Sequence, residues 1–287
     1  GESLAAGLAR WREKAEGRSA CDYGFHMTID DWNEGISREV GEMMEQGITS
    51  FKMYMTYPAM MIPEGDMYHA LLRLKEAGGI TGVHCENDGV IRALVAGAKA
   101  AGRMSPASHP RTRPAPLEAE AVGHLLRMAQ LADVPVIIVH LSARESLEEV
   151  RAARRRGQTV YVETCPHYLL LEDGAYDGPD FMEAAKFVCA PPLRKRADRE
   201  ALWEALENGE ISGVVESDFG YHIILRLPMN PDEFRTDCVN DLFQKSLDQE
   251  RERLGVEKTD AFGRIDVEDF WEKLQSLQSA VQAEQAG

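Results

Sequence analysis

The chain has 287 residues, of which 44% are hydrophobic and 28% charged, the mixture of a globular protein with room for one large α/β domain or two small ones. A formal net charge of −16 argues against nucleic acid or an anionic membrane as partner. No run of about 18 apolar residues is present to span a membrane, and no charged and apolar leader opens the chain.

In chain order, β-prone runs fall at Asp22–Met27, Ile48–Met55, Ile80–Cys85, Val134–His140, Thr159–Glu163 and Ile211–Val215. Amphipathic stretches separate them. Asp66–Ala77 places Met67, Leu71, Leu72 and Leu74 on one face and stops at Gly78-Gly79. Leu117–Leu131 and Glu145–Arg156 repeat the pattern, the latter closed by Gly157. Near-continuous apolar strands alternating with helices predict a parallel sheet with helices outside. Six such units fit most of a TIM-like (β/α)8 barrel, with a doubly wound sheet as the competing layout.

Residues 222–287 read as an acidic helical appendage. Asn230-Pro231-Asp232-Glu233 combines an N-cap, a proline at the first helical position and two acids. Phe234, Cys238, Leu242 and Leu247 could line one helix, and Phe270, Leu274, Leu277 and Val281 a second from Asp266. The expected organisation is therefore a partial barrel over 1–221 and a tail over 222–287. The five cysteines, Cys21, Cys85, Cys165, Cys189 and Cys238, are scattered without zinc-finger spacing and read as reduced thiols of a cytoplasmic protein.

Polar residues cluster at the ends of the predicted strands. Lys52, His84, His140, Glu163 and Asp218 each lie within or just after one, and in a barrel those ends share a face. Lys52 reads either as a lysine snorkelling from its strand or as a desolvated amine able to take up carbon dioxide as a carbamate, an anionic oxygen ligand. His84 and His140 are each, taken singly, core histidines; as a pair on two strand ends they favour a metal such as zinc. Asp218 reads as a metal ligand, a proton carrier or a loop acid. His26 and His167 suggest packing roles, and Arg111 and Arg113 a loop fixed after His109.

The segments Asp22-Tyr-Gly-Phe-His26, Ser50-Phe-Lys-Met-Tyr-Met-Thr-Tyr57, Val83-His-Cys-Glu-Asn87, Val139-His-Leu-Ser142, Glu163-Thr-Cys-Pro-His-Tyr-Leu169 and Ala190-Pro-Pro-Leu-Arg194 stand in an order and spacing that resembles the dihydropyrimidinases and D-hydantoinases of the amidohydrolase superfamily. The resemblance runs to about Asp218. It implies a TIM-like barrel holding two zinc ions, with Lys52 as the carbamylated bridge. His84 and His140 resemble the ligands of the more exposed metal, and Asp218 the buried metal's ligand and general base. Tyr57 resembles the oxyanion donor, and the backbone around Ala190 the stretch that holds the ring amide. The implied reaction opens 5,6-dihydrouracil or a 5-substituted hydantoin to an N-carbamoyl amino acid, in a homo-oligomer (dimer or tetramer). Allantoinase and dihydroorotase are the enzymatic alternatives, and a non-catalytic assembly or scaffold protein the alternative of another class.

Two departures mark the pattern. The family's first strand ends in His-x-His, which supplies the buried metal's histidine pair, and no His-x-His occurs in the sequence. That strand is expected upstream of Gly1. After Asp218 comes Phe219-Gly220-Tyr221 in place of the family's continuation, which suggests a deletion, frameshift or misassembly and predicts weak or absent activity for this chain alone.

Overall fold

The computed structural model describes residues 3–20, 22–207, 214–217 and 220–223, the last two stretches as backbone. The elements run α1 (Leu4–Ala15), β1 (Met27–Thr28), α2 (Glu34–Glu45), β2 (Ser50–Tyr54), α3 (Glu64–Ala77), β3 (Ile80–His84) and α4 (Asp88–Ala100). Then follow α5 (His109–Thr112), α6 (Ala115–Ala132), β4 (Val136–Ile138), α7 (Arg144–Arg155), β5 (Val160–Val162), α8 (Pro166–Leu170), α9 (Phe181–Ala185) and α10 (Arg196–Glu207). A short pair closes the described chain: β6 (Val214–Ser217) and β7 (Gly220–Ile223).

Strands β1 to β5 form one parallel sheet in the order β1-β2-β3-β4-β5. That order decides between the two layouts. A doubly wound sheet reverses direction at a switch point, so its strands are not in sequence order. Right-handed crossovers that always step the same way keep every helix on one face, as in a barrel wall. The described sheet is thus five consecutive strands of a TIM-barrel-like α/β fold.

Side-chain alternation sorts the two faces. On β2, Phe51 and Met53 are fully buried toward the helices, while Ser50, Lys52 and Tyr54 take the other parity and are only half-buried. The helix layer seals the first face with Val40 and Met43 of α2, Leu71 and Leu74 of α3, Val122, Leu125 and Leu126 of α6 and Val150 of α7, all inaccessible to solvent. Local signals set the ends of these helices. Asn33 caps α2 by accepting from the Gly35 and Ile36 amides at 2.9 and 3.1 Å. Gly78 ends α3 at φ 76°, a left-handed turn that glycine adopts without a Cβ penalty.

Two strand expectations need correction. The run Asp22–Met27 is not a strand up to Met27: β1 is Met27–Thr28, because its only neighbour among the described residues, β2, begins to pair at Phe51. Among the described residues no strand pairs with residues 22–26. The run Ile211–Val215 was to supply a sixth parallel strand, whereas β6 pairs antiparallel with β7 in a separate two-stranded sheet. A two-residue connection favours such a local hairpin over a crossover. Asp218 and the expected helical tail, apart from 222–223, lie outside the described residues. Among the described residues no helix is long and apolar enough to cross a membrane.

Candidate functional site

His84 is the last residue of β3, paired in register with Tyr54 of β2. His140 sits two residues past the end of β4. The neighbouring strand ends bring their rings to a centroid separation of 4.6 Å, edge to face. Tyr57, in the turn after β2, lies 5.2 Å from the His84 ring. Lys52 comes from the middle of β2, level with Gly82. A Cβ built on Gly82 would stand 2.6 Å from Val139 Cγ1 and 4.0 Å from Lys52 Cδ, so this glycine leaves the space beside the lysine stem open. Lys52, Tyr54, Gly82, His26 and Glu163 line a cavity of about 250 Å³, with Trp11 of α1 at its wall.

Burial holds both imidazoles in the neutral form. It lowers the pKa of His84, against the pull of Glu86 and with the help of the Lys52 and Arg113 charges. His140 is driven well below the ordinary value by burial, then by His84 and Lys52. His84 Nε2 lies 2.7 Å from Glu86 Oε2. A carboxylate there can only accept, so Nε2 carries the proton and Nδ1 keeps its lone pair. His140 Nδ1 is sealed from solvent and has no hydrogen-bond partner among the described residues. A buried polar atom without a partner is costly and calls for an explanation. Two neutral imidazoles with nitrogens to spare suit a metal such as zinc.

A metal needs more than these two donors. Among the described residues no group of three or more His, Cys, Asp and Glu side chains is placed to hold one. Lys52 as an ammonium opposes a cation, as its depression of both histidines shows. Only as an anionic carbamate would it join the donor set. Asp218, the remaining candidate, lies outside the described residues.

The backbone of the site is strained. Tyr57 and His140 have φ of 70° and 40°, the left-handed region that residues with a Cβ seldom enter. Around them runs a polar network. Arg113 pairs with Glu86 and stacks on Tyr57, its Cζ 5.3 Å from the ring centroid. The Tyr57 phenol is raised in pKa by burial, with Arg113 opposing. Arg194 donates through Nη1 to the Arg113 carbonyl, through Nε to Ser142 Oγ at 3.0 Å and through Nη2 to Glu118 Oε2 at 2.8 Å. Glu118 also accepts from the Ser142 and Ala143 amides at 2.9 and 3.2 Å.

Ala190 belongs to the loop that this network holds. Its neighbour Cys189 accepts from His109 Nε2 at 2.6 Å, and Arg194 ties the far end of the loop to Arg113. His26, expected at the end of the first strand, instead precedes β1 and contacts Ser50, at the opposite end of β2 from Tyr54. Cys85 is fully buried and its thiol pKa is raised by burial, which leaves it no role as a nucleophile. Sequence reasoning gave Arg113 only a loop role and passed over Glu118 and the Arg194 pairing. The sequence shows these charges but not which of them meet.

Fold and site together define a barrel-type α/β protein with a strand-end histidine pair. The chain is 42% identical to the D-hydantoinase of Streptomyces coelicolor over 219 residues, 76% of this chain and 46% of that protein. It is 38% identical to a D-phenylhydantoinase of Escherichia coli over 236 residues, 82% of this chain and 50% of that one. The crystal structure of dihydropyrimidinase from Brevibacillus agri superposes with a TM-score of 0.73 at 40% identity, covering 76% of this chain and 47% of that one. No family profile matches the chain. Over the matched three quarters of its length the chain belongs to the D-hydantoinase/dihydropyrimidinase family. It spans about half the length of the curated relatives it matches.

Proposed function

We propose that this chain carries the exposed-metal half of a cyclic-amide hydrolase site, acting on a dihydropyrimidine or a 5-substituted hydantoin. The observation that carries this reading is the meeting of His84 and His140 at 4.6 Å with a buried His140 Nδ1 that has no partner among the described residues. His84, His140 and a carbamylated Lys52 would hold one zinc ion, three protein ligands being a catalytic count. When bound, the ion would polarise the ring carbonyl and lower the pKa of water from 15.7 to about 7.

The chain's own groups would do the rest. Tyr57, held against His84 and under Arg113, would donate its hydroxyl to the oxyanion that forms as the amide is attacked. Burial raises the phenol's pKa, so the group is protonated and able to donate at neutral pH. Asp218 would accept a proton from the attacking water and pass it to the leaving nitrogen. The backbone at Ala190 would hold the ring amide, on a loop fixed by His109 and Arg194. Ring opening would give an N-carbamoyl amino acid. No His-x-His occurs in these 287 residues, so the proposal for this chain is confined to the exposed metal. A cytoplasmic homo-oligomer is the setting this reading assumes.

Metal analysis of the purified chain tests the reading, with ring opening of dihydrouracil and a hydantoin measured alongside. Zinc held by wild type and lost in the His84→Ala/His140→Ala variant supports it. Equal zinc in both proteins, or none in either, removes the metal site and favours the scaffold alternative.

A further inference from the structure

We propose that Arg113 and Glu86 are positioning residues that lock the His84 tautomer and the Tyr57 ring through a single guanidinium. The proposal rests on the metal-site reading above and adds what orients that site. Glu86 and Arg113 carry none of the chemistry just described, yet both are nearly sealed, with side chains 1% and 12% exposed. Glu86 has two neighbours on one oxygen: His84 Nε2 at 2.7 Å and Arg113 Nη1 in direct contact. The bond to His84 fixes the proton on Nε2 and leaves the lone pair on Nδ1, the state a metal ligand needs.

Glu86 cannot hold that geometry alone. It follows its histidine by two residues in the segment between β3 and α4, and a buried carboxylate needs a cation. Arg113 supplies it from a turn 27 residues further along the chain. The same group lies over the Tyr57 ring. A planar guanidinium can use its edge for a carboxylate and its face for an aromatic ring at once, whereas the point charge of lysine cannot. Arg113 is itself held from behind, since its carbonyl accepts from Arg194 Nη1. Arg194 continues to Ser142, two residues beyond His140. One chain of contacts therefore runs from His84 and Tyr57 to Ser142, two residues past His140, and Arg113 is the member that touches two branches.

The test uses the full chain and two readouts at one fixed neutral pH. The first is the nitrogen-15 signature of the His84 tautomer in metal-free protein, and the second is zinc affinity by calorimetry. Wild type should show Nε2–H. Arg113→Met should give a mixture of tautomers and weaken zinc about 10–100-fold, the usual loss when a ligand's orienting partner goes. Should that variant fold poorly, Glu86→Gln keeps the shape and removes the charge, and about a 10-fold weakening is expected. Tyr57→Phe keeps the ring and should bind zinc as wild type does. If wild type binds zinc and both Arg113→Met and Glu86→Gln match it in affinity and tautomer, the positioning role is overturned while the metal site stands. If wild type takes up no zinc, the metal site falls and this proposal with it.

Discussion

Replacing Glu118 by glutamine removes one charge and almost no volume, at a place where four donors converge on one carboxylate. Oε1 accepts from the Ser142 and Ala143 amides, and Oε2 from Ser142 Oγ and Arg194. Glutamine has one oxygen and one NH₂, so either the amides or Arg194 must face a second donor. Glu118 and Arg194 are 2% and 6% exposed in their side chains, so water cannot stand in for the lost acceptor. Breaking one side of a buried ion pair costs about 3–5 kcal/mol. For a folded unit of this size each kcal/mol moves the melting point by about 2–4 °C, so Glu118→Gln should melt roughly 6–20 °C lower by calorimetry. Glu120→Gln is the matched control. Glu120 accepts from Asn87 Nδ2 at 2.8 Å but is exposed, and its loss should cost no more than about 0.5 kcal/mol. Equal melting of the two variants would show that the Glu118 cluster does not hold the loop after His140.

Acid should erase the same difference. Burial alone would raise the Glu118 pKa, but the Arg194 charge and the Ser142 hydrogen bonds outweigh it and hold the folded pKa below the ordinary 4.5. Its stabilising effect is therefore present above pH 4.5 and fades as pH falls through the folded value, at up to about 1.4 kcal/mol per pH unit. Melting curves of wild type and Glu118→Gln should converge below pH 4.5, and a gap that widened there would contradict the pairing. Gly82→Ala brings a Cβ to 2.6 Å from Val139 Cγ1 and should destabilise by about 1–3 kcal/mol, with partial recovery when Val139 is also made alanine. Melting like wild type would mean that β3 and β4 are not so closely apposed. Tyr57→Phe should lower whatever ring-opening rate the chain supports by about 10²–10³-fold with zinc content unchanged, and an undiminished rate would take the hydroxyl out of the reaction.

Why some of this was legible in the sequence and some was not follows from the range of each signal. Helices α3, α6 and α7 lie within a residue or two of their expected spans, because apolar spacing and the stops at Gly78 and Gly157 are local. Strands β2 to β5 were legible as apolar runs for the same reason. Pairing is not local. Among the described residues the run from Asp22 has strand-like residues but no strand partner until Met27 meets Phe51, and the run from Ile211 leads to a strand with a nearer partner in β7. Family spacing singled out Lys52, His84, His140 and Tyr57, since each carries its chemistry in its own side chain. Glu86 with Arg113 and Glu118 with Arg194 are 27 and 76 residues apart, and nothing in either stretch names the other.

The backbone angles add a reason to treat the site as built rather than accidental. Among the described residues, three without glycine's freedom have positive φ. Asp133 is the ordinary case, closing α6 in a left-handed cap. Tyr57 and His140 close no helix. Each costs about 1–3 kcal/mol unless its surroundings fix it, and in both cases the next residues are anchored. Thr56 donates to Asp88 at 3.2 Å just before Tyr57, and the Met60 and Met61 amides bond the Tyr57 carbonyl just after. Past His140, the Leu141 amide donates to the Glu163 carbonyl and Ser142 enters the Glu118 cluster. Had His140 continued the extended alternation of β4, its parity would place it with Val136 and Ile138, which are fully buried. The left-handed turn breaks that alternation and sets the ring against His84 instead. The strain and its anchors thus serve one result, two neutral imidazoles from separate strands held together.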